Sequence, residues 1–597
     1  MQRLREEKGS ALVMVMFMML ILTLLGVAVL SATVGGARRT LTRENDIQSL
    51  QLTQKVLDES VAYISSKIDL AAAASGVTSD TLKPLIDGIV AGIPLKSADN
   101  DNAQTENLYE AKGRLLEKPG VADVFKDLPV GDPRKGTAYI ITLKAAGEVN
   151  GVKRTLTQEM RVNMYPDFLQ YAFGSEQNLI LNGAPYIVGN IYAGDKLVVT
   201  NHPQYIYEGK SLATNSVFPK MTTDGQVYIQ SLDGFVSSEN GAPLSPVTSG
   251  GDSAVGSRVQ QALGVGVSQI HIKDRQKFVQ INVESSFLDK LAAAVNLTGV
   301  TQASLQKAYA GQSGSASNRM AAVVQSLGST SVFQAQMPEK PVLDTLPILS
   351  ADPTDKELSD YNAVVKSNQD KVEKYNNAIN KLKTALASLN KTTVFQGDLL
   401  IDGKTFDSIG TSDKNNWLIV NGNLTLAGGS QPVSLASNVL VTGNVRFKDS
   451  AAVDSTMLTM GSTTIEDAVI TGIAGKEIVL ISKGEVLLNR VDAFSSAATS
   501  VLRGFFYTDS TATLYGVGSN FALEGGFFAK GDLTVNAVVG ESKRGTGDIV
   551  FAPQSSALQD STSRFKVHYN DEVYSHQGSW LPQVQQVSIS VGQLKME

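Results

Sequence analysis

Two short stretches of this 597-residue chain contain side chains that can bind metal ions. The segment "DNDNAQTENLYE", residues 99–110, places carboxylates at the first, third and twelfth positions of a calcium loop. However, Ala103 and Gln104 stand where such a loop needs an oxygen ligand and a glycine. The segment "HYNDEVYSH", residues 568–576, alternates polar and apolar side chains like a strand followed by a turn. Its potential ligands are His568, Asp571, Glu572 and His576. We favour a polar loop for the first segment and a solvated strand for the second, and we expect no metal and no cofactor.

Paired carboxylates are the other chemistry for which the sequence has candidates. Polysaccharide hydrolysis needs two carboxylates that converge at roughly 5–10 Å. The candidates are scattered over different parts of the C-terminal half, so no pair is evident: Asp398, Asp402, Glu466, Asp467, Glu485 and Asp532. The chain has no cysteine, no Gly-x-Ser-x-Gly motif and no phosphate-loop lysine pattern. Its net charge of −6, with both signs mixed, does not predict a nucleic-acid partner. We therefore expect a protein that is not an enzyme.

The N-terminal region predicts a membrane-spanning helix. No charged residue occurs from Gly9 to Ala37, and the apolar run from Ser10 to Val34 would be roughly 38 Å long as a helix. That length exceeds a bilayer core of about 30 Å and the short apolar stretch of a cleaved secretory signal. Arginines and lysines lie on both sides of the run, so the distribution of positive charge does not decide its orientation.

The same region carries a resemblance to a known family. A short basic leader ends in Gly9, and "GSALVMVMFMMLILTLLGVAVLSAT" is followed by the polar helix "RRTLTRENDIQSLQLTQKVLDESVAYI". This arrangement resembles type IV pilin-like proteins and looks most like the PilX-type minor pilin N-terminal family, over roughly the first 65 residues. The resemblance implies that a prepilin peptidase cuts between Gly9 and Ser10 and that other pilin-like subunits are partners. Met14 stands where major pilins have a glutamate, which argues against the main filament subunit. An ordinary, uncut single-pass anchor is the alternative.

Beyond the apolar run, the helix should continue and pack on a hairpin. Apolar residues form one stripe to about Asp69, at Leu50, Leu57, Val61, Ile64 and Ile68. The segment "TAYIITLKAAGEVNGVKRTLTQEMRVNM" alternates apolar and polar residues on both sides of Asn150-Gly151, which predicts a β-hairpin. A long helix on an antiparallel hairpin is the arrangement that the resemblance implies.

The largest part of the chain is rich in short β segments that repeat. Segments such as "IVNGNLTLAG" and "LVTGNVRFKD" recur at about 20 residues, with glycines at Gly397, Gly422, Gly443, Gly461, Gly484 and Gly531. This period and the β-branched residues favour a right-handed β-helix, or solenoid, over leucine-rich repeats. A two-sheet sandwich is the competing prediction. If Leu424, Val445 and Leu487 share one core, each should be buried.

Between two β-rich parts lies a helical insertion, residues 251–391. "TDKE", residues 354–357, predicts a capping box, and an apolar heptad seam with one polar position, Asn368, follows to Leu389. We favour an arm that packs on upstream helices. The alternative is a coiled coil between chains, with Asn368 setting the register. We also expect the insertion to be an excursion from one continuous solenoid, so that replacing residues 251–391 with a short Gly/Ser linker leaves the β domain folded.

These observations together predict an α+β, mostly β chain. We expect a leader at 1–9, a transmembrane and pilin-like helix at 10–75, a small α/β region with a hairpin at 76–165, solenoid parts at 166–250 and 392–597, and the coiled-coil-like insertion at 251–391. The expected function is a non-enzymatic pilus-associated subunit, anchored in the bacterial cytoplasmic membrane, that presents a β-helical and adhesive passenger outside the cell. The alternative is a membrane-anchored β-helix protein that acts on or binds cell-surface polysaccharide.

Overall fold

We describe the fold from a computed structural model. The described residues are 3–75, 79–93, 112–127, 135–136, 138–163, 167–272, 281–297, 299–327, 332–411, 416–429, 431–489, 494, 500–552, 558–570, 572–573, 587–592 and 594–596. The predicted calcium loop at 99–110 and the residues Asp571 and His576 lie outside this part of the chain.

The elements follow one another along the chain in a helical start, a first β-rich run, a helical insertion and a second β-rich run. The start contains α1 (Arg3–Ser75), α2 (Ser79–Ala91), β1 (Lys112–Leu115), β2 (Gly120–Asp123), β3 (Ala138–Val149) and β4 (Val152–Asn163). The first run contains β5 (Phe173–Ser175), β6 (Leu179–Gly183), β7 (Tyr186–Val188), β8 (Ile191–Ala193), β9 (Leu197–Thr200), β10 (Gln204–Tyr207), β11 (Lys210–Ala213), β12 (Lys220–Met221), β13 (Val227–Ile229), β14 (Phe235–Ser238) and β15 (Ser245–Pro246). The insertion contains α3 (Asp252–Leu263), β16 (Ile270–Ile272), α4 (Val283–Val295), α5 (Gln302–Ala310), α6 (Ala316–Gln325), β17 (Phe333–Gln336) and α7 (Asp355–Ser388).

The second run begins with β18 (Thr393–Gln396), β19 (Leu399–Ile401), β20 (Ser408–Gly410), β21 (Trp417–Asn421), β22 (Leu424–Ala427), β23 (Val433–Ala436), β24 (Asn438–Val441), β25 (Val445–Val453), β26 (Ser455–Thr459), β27 (Thr463–Gly472) and β28 (Ile478–Ser482). It continues with β29 (Val486–Asn489), β30 (Ser500–Thr508), β31 (Ala512–Gly516), β32 (Phe521–Ala529), β33 (Leu533–Ala537), β34 (Ser542–Arg544), β35 (Ile549–Phe551), β36 (Phe565–His568), β37 (Ser588–Val591) and β38 (Lys595–Met596). The chain is thus one long N-terminal helix followed by a large, mostly β body with further helices.

Two compact units result. The first contains Met1–Leu128, Lys135–Met164 and Gln586–Glu597, and the second, which we call the body, contains Pro129–Arg134 and Tyr165–Gln585. The domain boundaries that the sequence predicts inside the body remain predictions. The C-terminal residues 586–597, which we had grouped with the second β part, belong to the first unit.

The first unit confirms the predicted hairpin and the stripe that packs on it. β3 and β4 pair antiparallel from Val149–Val152 to Ala138–Asn163. Asn150 (φ 49°) and Gly151 (φ 81°) both adopt positive φ, as a type I′ turn requires. The stripe residues Leu57, Ile64 and Ile68 are fully buried, and they share one core with the inward side chains of both strands. Burial of each such side chain contributes about 1.5–3 kcal/mol, which explains why the helix continues past the apolar run.

The edge of this sheet comes from the far end of the chain. β37 pairs antiparallel with β4, with Ser588 opposite Asn163 and Val591 opposite Met160, and β38 pairs with β4 further along. Residues 165–586 therefore form the loop of a hairpin whose two strands are β4 and β37. The body is inserted between two neighbouring strands of the first unit's sheet.

In the body, most strands pair in parallel and form three columns. Column A contains, in order, β17, β18, β21, β24, β26, β28, the end of β30, the end of β32, β5, β8, β13 and β16. Column B runs from β19 through β22, β25, β27, β29, β31, β33, β6 and β9 to β14. Column C runs from β20 through β23, β25, β27, β30, β32, β36 and β7 to β12. The first β-rich run therefore stacks after the second, against chain order.

The repeated glycines lie where successive repeats touch. A Cβ on Gly422 would meet the carbonyl carbon of Gly397 at 2.5 Å, and one on Gly461 would meet Oδ1 of Asn444 at 2.4 Å. The backbone N–H groups of Gly443 and Gly461 donate to the carbonyls of Gly422 and Gly443 at 2.9 and 3.0 Å. The glycine period thus reflects close approach of one repeat's backbone to the next.

The core prediction holds for two of its three residues. Leu424 and Val445 are buried in the common core, but Leu487 is 37% exposed. Its neighbours Val486 and Leu488 occupy the inward positions of β29. Because strand side chains alternate between faces, an assignment that is one residue out of register reverses inside and outside.

The strands that flank the helical insertion, β15 and β18, stack near opposite ends of the columns, which argues against its replacement by a short linker. Its β16 is the last strand of column A and its β17 is the first, and eleven strand spacings of about 4.8 Å separate them by roughly 53 Å. α3 packs against β9 and β12 near one end, and α6 and α4 contact β21 and β26. At the other end, Leu382 and Leu386 of α7 and Leu389, which caps its C-terminus, enter the common core. The insertion therefore runs along the body and covers both of its ends.

The long helix α7 begins as predicted. Oγ1 of Thr354 accepts a hydrogen bond from the N–H of Glu357 at 3.3 Å, and Oε2 of Glu357 accepts one from the N–H of Thr354 at 2.7 Å. Asn368 bonds within the chain, since its side chain accepts from the N–H of Asp344 at 2.8 Å and donates to the carbonyl of Asp344 at 2.9 Å. Asn368 thus holds Asp344 against the helix.

Candidate functional site

The N-terminal half of α1 is the most exposed apolar surface among the described residues. An 18-residue window within Ala11–Ala71 has a mean hydropathy of 2.9 and none of it is buried. Leu12, Phe17 and Leu24 are among the apolar side chains that are more than half exposed. By length and composition this helix can cross a bilayer. Met14 is 71% exposed, so the position at which major pilins have a glutamate is an apolar surface side chain.

The predicted processing residues Gly9 and Ser10 lie inside α1, which begins at Arg3. A protease that binds its substrate in an extended form would have to unwind the first turns of this helix. Glycine lowers helix stability by about 1 kcal/mol relative to alanine, so Gly9 makes that unwinding easier. The cut between Gly9 and Ser10 remains a prediction.

The structure brings none of the sequence-derived metal ligands together among the residues it describes. Nε2 of His568 lies 2.5 Å from Oδ1 of Asp560, and Glu572 forms an ion pair with Arg503 at 3.2 Å. No cluster of three or more potential ligands occurs in the described parts of the chain. These two side chains therefore have surface partners of their own.

Three of the carboxylates that were candidates for hydrolytic chemistry, Asp398, Asp402 and Glu466, make local contacts in the turns and strands of the body. Oδ1 of Asp398 accepts from the N–H and the side chain of Asn423 at 2.8 and 3.0 Å. Glu466 pairs with Arg446. Burial works against the ionised form of Asp402, but hydrogen bonds from backbone N–H groups outweigh it and lower its pKa. Each of these three groups makes a local contact, and none of the contacts described is with a second carboxylate.

A column of alternating charges is a feature that we did not predict. Lys483, Asp509, Lys530 and Glu176 each follow the column A strand of four successive repeats. The side chain of Asp509 is 6% exposed. Its carboxylate forms ion pairs with Nζ of Lys483 at 2.5 Å and with Nζ of Lys530 at 2.9 Å. Glu284 of α4 lies 3.5 Å from Lys483, so the column also contacts the insertion.

Burial and neighbouring charges both shift the pKa values of side chains in this column. Burial raises the pKa of Glu176 to about 7, although the charge of Lys530 acts in the opposite direction and that of Asp509 adds to the rise. Burial also opposes the charge of Lys483, but the hydrogen bonds and negative charges of Asp509 and Glu284 together outweigh it and raise the pKa of Lys483. Lysines directly before Gly484 and Gly531 are the sequence signal that could have revealed the column. Recognising Glu176 as its fourth member required the stacking order.

A second buried charge holds the turns at one side of the body. Arg564 is 2% exposed, and Nε donates to the carbonyls of Val517 and Ser519, both at 3.1 Å. Its two terminal nitrogens donate to the carbonyls of Gly540 at 3.2 Å and Gly518 at 3.0 Å. Burial lowers the pKa of Arg564 to about 10. The guanidinium satisfies carbonyl groups that would otherwise be buried without partners.

Comparisons with known proteins add little to this description. No family model and no curated protein matches the chain. Among solved structures, the competence-associated pilin ComZ from Thermus thermophilus is similar at 10% identity and a TM-score of 0.25, covering 93% of this chain and 98% of that chain. At this TM-score the likeness does not establish a shared fold or function.

Proposed function

We propose that this protein is a non-enzymatic, pilin-like accessory subunit of a type IV pilus or a related assembly system, with a PilX-type N-terminus. The observation that carries the proposal is the division of α1. Its first half is apolar and exposed, and its second half packs a buried stripe on an antiparallel sheet. A helix of this kind can be held by a membrane or by neighbouring helices at one end while it carries a folded unit at the other.

We further propose that the body is a β-helix displayed outside the cytoplasmic membrane. Parallel columns with a glycine at each close approach support this proposal. The body would then be a passenger inserted in a surface loop of the pilin-like unit, available for adhesion. Among the carboxylates predicted from sequence, Asp398 bonds Asn423 and Glu466 pairs with Arg446, and neither contact supports an activity on polysaccharide.

N-terminal processing tests the proposal. The full chain is expressed with and without an active prepilin peptidase, and the N-terminus is sequenced. We expect the mature chain to begin at Ser10 only when the peptidase is present, and Gly9→Val to abolish the cut because a branched side chain replaces the residue at the cleavage point. Gly26→Val is a matched control, since a Cβ at Gly26 meets nothing within 4 Å and the residue lies far from the junction. A chain that still begins at Met1 with the peptidase present would contradict the pilin-like assignment.

A further inference from the structure

The first β-rich run of the body stacks on the last repeat of the second run. Phe173–Ser175 pair with Phe527–Ala529, and Leu179–Gly183 pair with Leu533–Ala537. We call this contact the seam. Residues paired across it, such as Asn182 and Asn536, are 354 positions apart. The pairing of Tyr186–Val188 with Lys566–His568 in column C also belongs to the seam. In the other described pairings of the three columns, paired residues are at most 60 positions apart, as for Phe333 and Thr393.

The seam is densely hydrogen-bonded. Oγ of Ser175 donates to the carbonyl of Gly531 at 2.7 Å. Oδ1 of Asp532 accepts from both the N–H and the side chain of Asn178, at 3.1 and 2.9 Å. The side chain of Asn182 donates to Oδ1 of Asn536 at 3.1 Å. These bonds reproduce the turn-to-turn contacts found between repeats that are consecutive in sequence, such as the bond from Asn423 to Asp398.

Aromatic packing and backbone contact complete the seam. The ring of Phe565 lies 6.0 Å from those of both Phe173 and Phe521, so the last repeat supplies the surface on which the first run rests. At Gly183 the backbones come so close that a Cβ would lie 2.0 Å from the carbonyl oxygen of Ala537.

The seam joins segments that are much farther apart in the sequence than the other paired repeats, so it is the contact that the chain connection favours least. Loop-closure entropy rises with the number of residues between two paired segments, so short connections favour pairing of consecutive repeats. The seam lacks that advantage, and the first run has only β5–β9 and β12–β14 to stack on one another. Repeats of this kind bury a continuous core only when several of them are stacked.

We propose that the body opens at the seam as two cooperative parts, and that residues 173–238 keep their fold only while they rest on the repeat formed by residues 521–568. The second run, from β18 to β28, does not depend on the seam. The first β-rich run of the body is therefore synthesised before the second run but folds after it, once the repeat formed by residues 521–568 is complete.

A pair of glycine variants tests this inference. Gly183 and Gly209 both have positive φ, 78° and 75°, so alanine strains the backbone equally at both positions. Only at Gly183 would the new Cβ collide across the seam, since nothing lies within 4 Å at Gly209. We therefore compare Gly183→Ala with Gly209→Ala in the full chain, purified in detergent micelles, by amide hydrogen exchange.

Gly183→Ala should speed exchange at least tenfold throughout 173–200 and 227–238, and leave 417–482 unchanged. Gly209→Ala should change neither region. Equal acceleration in both regions would show one cooperative body, and no acceleration in either would show that the seam is not the joint. Both results would overturn the inference.

The wild-type chain offers a second measurement that does not depend on a variant. With increasing denaturant below the unfolding transition, amides in 173–200 should converge on one opening equilibrium constant, at least tenfold larger than that of 417–482. A single opening constant for both regions would overturn the inference even if the glycine variants fail to fold.

Discussion

Excision of the body is the sharpest test of our finding that the body is inserted between β4 and β37. Asn163 and Ser588 are paired across the two strands, so their Cα atoms are roughly 4.5–5.5 Å apart. A two-residue Asn-Gly turn spans such a pair. Replacing residues 165–586 with Asn-Gly should leave the first unit folded, because its core residues are separate from those of the body.

The size of the effect follows from the loop that is removed. Closing a flexible loop of about 420 residues costs roughly 4 kcal/mol more than closing one of a few residues. The folded body already holds its two ends in place, so this figure is an upper limit. We expect the free energy of unfolding of the first unit to be unchanged or increased by up to about 4 kcal/mol, and its melting temperature not to fall.

Thermal unfolding of the purified protein in detergent micelles, followed by circular dichroism, measures this outcome. The control is a chain that stops at Met164 and lacks β37 and β38. That chain loses the buried Val587 and the packing of Ile589, so it should be less stable by about 2–4 kcal/mol. If the excised protein is unfolded, or melts below the control, then the first unit depends on the body and the insertion topology does not describe two independent folds.

Three further predictions concern the body, and equilibrium denaturation measures each of them. Arg564→Met should destabilise the body by about 2–4 kcal/mol because four carbonyl acceptors lose their donors. Arg446→Met, at an exposed ion pair, is the control and should cost under about 1 kcal/mol. Equal costs would contradict the role of Arg564 in holding the turns. Because the pKa of Glu176 is raised to about 7, its stabilising contribution is present below pH 4.5 and is lost as the pH rises through 7. Glu176→Gln should therefore gain about 1–3 kcal/mol over wild type at pH 8 relative to pH 4, and a constant difference between the two pH values would refute the assignment. Leu488→Asp should unfold the body, since an unpaired buried carboxylate costs several kcal/mol, while Leu487→Asp should change stability by under about 1 kcal/mol; the reverse order would contradict the register of β29.

Local features of this fold were predictable because their causes are local. The Asn150-Gly151 turn, the apolar stripe from Leu57 to Ile68 and the capping box at Thr354 each depend on residues a few positions apart. The glycine period was visible because each repeat makes the same close contact with the next.

Long-range features could not be predicted because nothing local encodes them. No pattern near Asn182 indicates that its partner is Asn536, and none near Met160 indicates that Val591 completes its sheet. The stacking order of the repeats decides where the two ends of the helical insertion lie, and that order could not be predicted from local sequence either. At Leu487 the difficulty was of another kind, because three adjacent apolar residues leave the inward face undetermined from sequence.

The helical insertion, which runs along the body from one end to the other, limits how such a protein can change over evolutionary time. In an open array, a duplicated repeat simply lengthens the stack. Here a single covalent connection runs from β16 to β17, across roughly 53 Å, and closes both ends. Each added repeat would lengthen that path by about 4.8 Å and strain the connection between the two strands. The length of the insertion thus limits the number of repeats. Related proteins should therefore differ by substitutions and by changes in the side hairpins β10–β11 and β34–β35, and not by gain or loss of whole repeats.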